Sequence, residues 1–244
     1  MANLYFVSEP LTATTTHVEI VGDEARHAVQ VARTRAGDVV EVSDGRGNRA
    51  DARVLSADKA SVACSIDNVR TDPEPAMRVV LVQALAKGDR DELAIQTATE
   101  LGVDRVVPWQ AERSVSRWSG DKIAKGVARW NAIVREASKQ SMRSRVPTVS
   151  QPVATETVCT IDDGLAWIVL DPRSETTLSE WFRDAGSPTA VGIVVGPEGG
   201  ITGAEIGLLS SAGATAVRLD GPILRTSTAG PAAMAALLAL GGVW

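Results

Sequence analysis

From residue 79 onward the chain repeats one pattern, and that pattern limits the available folds more than any other feature. Near-continuous apolar runs at 79–85, 105–109, 166–170, 191–195 and 216–219 alternate with segments of helical periodicity at 91–101, 121–141, 176–183, 203–210 and 228–240. A strand that is apolar on both faces must be covered on both, which implies a mostly parallel sheet with helices above and below, an α/β arrangement. Helix 91–101 is amphipathic and is closed by Gly102, as a helix C-terminus favours. In sheets of this kind ligands sit at the carboxyl ends of the strands.

Residues 1 to about 70 read differently. Short strands at 5–7, 17–21, 38–42, 52–55 and 61–66, with a hairpin-type turn over 44–48 (DGRGN), imply a small β-barrel. A helix over 23–31 interrupts it, opening on Asp23 and Glu24, acids suited to a helix N-terminus. The polar, twice-proline stretch 70–75 separates the two regimes, so domains are expected at 1–72 and 76–244, α+β overall.

Composition excludes several classes. With 44% apolar and 23% charged residues, neither disorder nor a fibre is suggested. No apolar run reaches the roughly 20 residues of a membrane helix, and MANLYFVSEPL lacks a leader's basic start, so no membrane role and a cytoplasmic location are expected. Cys64 and Cys159 are isolated, and the only histidines are His17 and His27, so neither a metal site nor a Ser-His-Asp or Cys-His arrangement is expected. Net charge is −5, yet nine Lys/Arg against two acids over 113–145 make that stretch +7 and leave −12 for the rest. This is either a solvated helix face or the footprint of a polyanion bound at one place.

Two strand ends carry unusual loops. In GPEGG (196–200) the spacing is neither the GxGxxG of a dinucleotide fold nor a P-loop, and Glu198 would repel a phosphate. Thr202 with Glu205 forms a capping-box pattern, which would satisfy the next helix's free N–H groups internally. A cofactor without phosphate, and with a cation, fits better; S-adenosylmethionine is one. The second loop, LDGPILRTSTA (219–229), sets apolar Ile223 and Leu224 beside Thr226, Ser227 and Thr228, a mixture suited to an adenine ring. Arg225 is a permanent cation with a planar donor fork; a surface arginine or a salt bridge to Asp220 is the alternative.

GPEGG followed some twenty residues later by LDGPILRTSTA resembles the SPOUT class of RNA methyltransferases, specifically the bacterial 16S ribosomal RNA (uracil-N3) methyltransferases, the RsmE family. HAVQVARTRAGDVVEVSDGRG (27–47), QALAKGDRDELAIQTATELGVDRVVPWQAERSV (83–115) and ARWNAIVREASKQSMRSRVP (128–147) extend the resemblance over nearly the whole chain. It implies a PUA-like RNA-binding barrel, a C-terminal domain with a trefoil knot, a homodimer, and methylation of N3 of one uridine in 16S rRNA, on the 30S subunit, in ribosome biogenesis. The cofactor pocket for S-adenosylmethionine would use Leu170, Gly196, Pro197, Gly199, Gly200, Leu219, Gly221, Ile223, Leu224, Thr226 and Ala229. Arg225 would be catalytic, and Arg113, Arg117, Arg129, Arg143 and Arg145 would contact RNA. The loop departs from the family form at Pro222, where an arginine is usual, and at Ser227, where a glutamate is. A tRNA methyltransferase, or an assembly module that holds the cofactor without transferring its methyl group, are the competing readings.

Overall fold

The computed structural model describes residues 3–162 and 164–244, in two compact units: one of residues 3–74 joined by Ser138–Val146, the other of Pro75–Ala137 with the described residues from Pro147 to Trp244. In the first unit β1 (Leu4–Phe6), β2 (His17–Val21), β3 (Val39–Ser43), β4 (Asn48–Ala57) and β5 (Ser61–Ile66) form a sheet in the order β1-β3-β4-β5-β2, with β6 (Arg70–Thr71) on β4. All pairings are antiparallel except β1 with β3.

Alternation explains this sheet. Ala50, Ala52 and Val54 of β4 and Val62, Cys64 and Ile66 of β5 point inward on every second residue and close a core with Tyr5, Ile20, Val40 and Val42. The sheet curls around that core, helped by a register shift between Val54 and Ser56, and its path stays open between β1 and β2. The expected helix is present as α1 (Gly22–Arg26), which continues into a π-turn over His27–Val31.

Segment 138–146 belongs to this unit through side-chain bonds. Ser43 Oγ donates to the Ser144 carbonyl at 2.9 Å. The Arg145 guanidinium donates to the Arg46 and Asp72 carbonyls at 2.6 and 2.9 Å and pairs with Glu74 at 2.9 Å. Gly47 makes room for it: at φ +104° it has a left-handed backbone, and a Cβ there would lie 2.4 Å from the guanidinium carbon.

In the second unit β7 (Arg78–Ala84), β8 (Arg105–Trp109), β9 (Thr148–Val149), β10 (Ala166–Leu170), β11 (Ala190–Val195) and β12 (Thr215–Val217) make one parallel sheet in the order β12-β10-β11-β7-β8-β9. Its helices are α2 (Arg90–Glu100), α3 (Asp121–Gln140, of which the residues from Ser138 on belong to the first unit), α4 (Leu178–Asp184), α5 (Gly203–Ser211) and α6 (Thr226–Leu240), with a 3-10 turn over Thr155–Thr160. Val80, Val82, Val107, Trp109, Trp167, Val169, Val194 and Leu209 fill one face. On the other face α6 lies directly on the sheet: a Cβ at Gly230 would meet Leu81 at 3.0 Å and Val195 at 3.3 Å.

The strand order contains a reversal. The chain leaves central β7 for β8 on one side, then returns on the other side as β10 and fills the gap with β11. The loops after β10, β11 and β12 therefore come together at the carboxyl edge beside that reversal, where a parallel sheet leaves a crevice. Among the described residues no helix is long and apolar enough to cross a membrane.

Candidate functional site

A cavity of about 800 Å³ opens in this crevice. Its walls are the loop after β10 (Leu170 to Arg173), the turn after β11 (Val195 to Glu198, Gly200 and Ile201) and the segment Val217 to Thr226 with Ala229 of α6, closed by Arg90 and Arg113. Of the cofactor residues expected from sequence, Leu170, Gly196, Pro197, Gly200, Leu219, Gly221, Ile223, Leu224, Thr226 and Ala229 line it. Gly199 does not; it lies just behind the wall, where a Cβ would come within 3.1 Å of Arg113 Cβ.

The glycine-rich turn is shaped by close approach. A Cβ on Gly196 would sit 2.5 Å from Ile201 Cγ1, and Gly200 turns at φ +73°. Two amides here are engaged internally: Gly200 N–H donates to the Pro197 carbonyl at 2.9 Å and, just beyond the turn, Thr202 N–H to Glu205 Oε2 at 3.0 Å. Thr202 and Glu205 form the full capping box expected at the start of α5. Glu205 is buried, which pushes its carboxyl up, but bonds from the Glu112 and Thr202 amides, the Thr202 hydroxyl and the Thr155 hydroxyl leave it below the usual carboxylate range. With the Gly200 and Thr202 amides occupied and the capping box complete, fewer N–H groups are left for a phosphate.

Glu198 has a different part from the one its charge suggested. Its carboxylate accepts from Arg90 Nη1 at 2.8 Å and from the Lys87 amide at 3.3 Å, so its negative charge is compensated and does not face the cavity as a free anion. Burial raises its pKa, yet its own backbone amide, Arg90 and the Lys87 amide together bring it below the ordinary value. The contact fastens the turn to the loop before α2, where Gly88 and Asp89 are both left-handed at φ +66° and +61°.

The other acids of the wall are paired in the same way. Asp171 takes a two-pronged bond from Arg173, 2.9 Å on each prong, and Arg173 also reaches the Ile201 carbonyl at 3.1 Å. Burial pushes the Asp171 carboxyl up, but Arg173 outweighs it and the net shift is downward. Asp220 is bonded by Arg218 at 3.0 Å, so it is not the partner of Arg225. Arg113 Nη1 donates to the Gly199 carbonyl at 3.0 Å. Among the described residues, Arg225 is thus the cavity arginine whose guanidinium has no protein partner.

One more surface of the cavity matters for what it can hold. Ile223 is 83% exposed and Leu224 37%, an apolar pair left uncovered beside Leu170, Val217 and Leu219. Among the described residues no group of three or more His, Cys, Asp or Glu could hold a metal ion. Pro222 and Ser227, the departures in the loop, fall on opposite sides of its backbone environment: Pro222 is exposed in the cavity wall and Ser227 is buried in the first turn of α6.

The five basic residues expected at RNA are not equivalent. Arg117 is exposed and uses Nη2 on the Glu112 carbonyl at 2.8 Å. Arg129 forks onto both oxygens of Glu92. Arg145 is committed to the 44–48 hairpin of the first unit, as described above, and Arg143 is half-buried in the same segment. Arg113 lines the cavity itself.

Comparison with known proteins accords with this geometry. The profile of an RNA methyltransferase domain matches residues 72–238, and that of an RNA methyltransferase PUA domain matches residues 20–67. The chain is 38% identical over 250 residues to a ribosomal RNA small subunit methyltransferase E of Mycobacterium bovis, covering 100% of this chain and 94% of the relative. Against that of Bacillus subtilis it is 32% identical over 225 residues, covering 89% and 88%. A crystal structure of such an enzyme from Neisseria gonorrhoeae, bound to S-adenosyl methionine, superposes with a TM-score of 0.88 at 30% identity, covering 98% of both chains.

Proposed function

The chain belongs to the family of ribosomal RNA small subunit methyltransferase E, and from that membership we propose that it transfers a methyl group from S-adenosylmethionine to N3 of one uridine in 16S rRNA. The single observation that carries the chemistry is Arg225, unpaired in the cofactor cavity while Arg90, Arg113, Arg173 and Arg218 are held by protein groups.

The cavity fits the cofactor. Ile223, Leu224, Leu170 and Leu219 offer apolar faces to an adenine, the loop backbones offer its edge hydrogen bonds, and the turn, with its Gly200 amide and the capping-box amides engaged internally, favours a cofactor without a pyrophosphate. Bound there, S-adenosylmethionine supplies an electrophilic methyl carbon on a sulfonium. Uracil N3 carries a proton and becomes nucleophilic only as that proton passes to solvent water, which spreads negative charge onto the neighbouring carbonyl oxygens. The donor fork of Arg225 stabilises that charge, as an oxyanion donor does. Asp171, Glu198 and Asp220 are each tied to an arginine, so the wall's contribution is cationic stabilisation of the uracil anion together with alignment.

Arg113 and Arg117 in the second unit, and basic side chains of the first, are the phosphate contacts of this reading. The reading also makes the protein a homodimer with a knotted C-terminal segment; Leu93, Leu240, Val243 and Trp244, apolar and exposed on α2 and at the end of α6, support a covered face there. The test is incubation with methyl-labelled cofactor and three substrates: unmodified 30S subunits, naked 16S rRNA and tRNA. Label is expected in the 30S subunit at one uridine. Label in tRNA alone, or none in any, overturns the proposal.

A further inference from the structure

Gln83 lies at the end of central strand β7, fully buried, in register with Val195 of β11 and Pro108 of β8. Its Nε2 donates to Thr226 Oγ1 at 2.8 Å and to the Ala84 carbonyl at 3.2 Å. Thr226 is the first residue of α6, and its hydroxyl donates to the Gly196 carbonyl at 2.7 Å. A threonine has one hydroxyl proton. Because Thr226 accepts from Gln83, that proton is directed at Gly196 and is not offered to a ligand.

We propose that the Gln83–Thr226–Gly196 chain is a positioning relay, in which one buried hydroxyl sets Arg225 in register with the turn that holds the methyl donor. Thr226 is therefore a positioning residue, where the sequence pattern suggested a direct cofactor contact. Arg225 immediately precedes it and caps α6 with its backbone alone; the Arg225 carbonyl accepts from the Thr228 and Ala229 amides, both at 2.9 Å. Its guanidinium has no protein partner among the described residues, so the part of Arg225 that the fold fixes is its backbone, and that is set by where the adjoining Thr226 is pinned. On the other side of the same hydroxyl, Gly196 cannot move toward Ile201, whose Cγ1 already fills the space of a Cβ. Both walls of the reacting site thus meet at one oxygen.

The inference rests on the methyltransferase reading for its kinetic consequence. Misplacement of a catalytic group by about an ångström costs on the order of 100-fold in rate. Thr226→Val, which keeps the shape and loses both bonds, should lower kcat about 10- to 100-fold while shifting the cofactor KM less than about 3-fold. Thr226→Ser should restore most of the rate, and Gln83→Met should reproduce the valine effect more weakly. The decisive arm is a double-mutant cycle: in an Arg225→Ala background Thr226→Val should cost less than about 3-fold, because there is no guanidinium left to misplace. Effects that multiply, or a loss confined to KM, overturn the relay. A second readout needs no methyl transfer: hydrogen exchange at the Thr228 and Ala229 amides should accelerate in Thr226→Val and return toward the parent rate in Thr226→Ser. Unchanged exchange also overturns the relay, whereas absence of methyl transfer by the parent protein counts against the proposed function and leaves the exchange comparison decisive for the relay.

Discussion

Arg225→Ala separates catalysis from folding and from cofactor binding in one variant. The guanidinium has no internal partner, and the residue is exposed, so truncation removes nothing that holds the fold. Its effect on stability should stay within about 0.5 kcal/mol, the usual range for such a surface position. The transition state is another matter. Losing one donor to a developing oxyanion costs about 10²- to 10³-fold in rate, or ~2.7–4 kcal/mol. In the proposed cofactor site the apolar surface comes from Leu170, Leu219, Ile223 and Leu224, which line the cavity and which the substitution leaves in place. Arg225→Lys, with the charge but not the planar fork, should fall between the parent and the alanine variant. The assay is single-turnover methyl transfer at saturating cofactor, with calorimetry of cofactor binding and a melting curve on the same preparations. A small, equal loss of rate and affinity, or a fall in Tm of many degrees, would refute the assignment.

Four further outcomes follow from the same geometry. The Glu198–Arg90 contact is partly screened, with side chains 26% and 44% exposed, and should contribute no more than about 1 kcal/mol; because the folded carboxyl lies below its ordinary value of 4.5, that contribution is present above about pH 4.5 and is lost as pH falls through the folded pKa, so the Tm gap between parent and Glu198→Gln should narrow on acidification below pH 4.5, and a gap that widens contradicts it. Gly192→Ala would set a Cβ 2.2 Å from Trp167 Cε3 on the neighbouring strand, and overpacking of this kind costs about 1–3 kcal/mol, to be read from chemical denaturation; an unchanged midpoint means the ring moves freely. Burial pushes the Cys64 thiol up to about 11 and raises that of Cys159, so neither should react with a thiol reagent at about pH 8 until the protein unfolds, and rapid native labelling would contradict their burial. Arg117→Ala should flatten the salt dependence of RNA binding at unchanged Tm, whereas Arg145→Ala should lower Tm through loss of its bonds to Arg46 and Asp72; the reverse pattern would exchange their roles.

Much of this architecture was legible because its signals are local. Apolar runs mark β7, β8, β10 and β11 without knowledge of their neighbours, and the Thr202–Glu205 spacing announces the start of α5. The two loops of the cavity were legible for the same reason: each is a contiguous stretch that follows a strand. What sequence did not show depends on partners far away in the chain. β6 and β9 are two residues each and exist only through pairing with β4 and β8. α6 begins at Thr226, two residues before its helical periodicity starts, and the bond that pins Thr226 comes from Gln83, 143 positions earlier in the chain. Arg90, Asp171 and Arg173 were invisible as wall residues, since nothing in their own neighbourhoods marks them, and Glu198 was read by its charge before Arg90 supplied the opposite one. The curled first sheet bears out the expected PUA-like barrel, while the order β1-β3-β4-β5-β2 of its strands depends on pairings that no local pattern encodes.

The measurement that bears most directly on the account is nucleoside analysis by mass spectrometry of 16S rRNA recovered from unmodified 30S subunits after incubation with the protein and S-adenosylmethionine. The account predicts one equivalent of 3-methyluridine per subunit with the parent protein and, over the same interval, a trace with Arg225→Ala. Methylation at a ribose 2′-oxygen or at uracil C5, or equal yields from the two proteins, would contradict it.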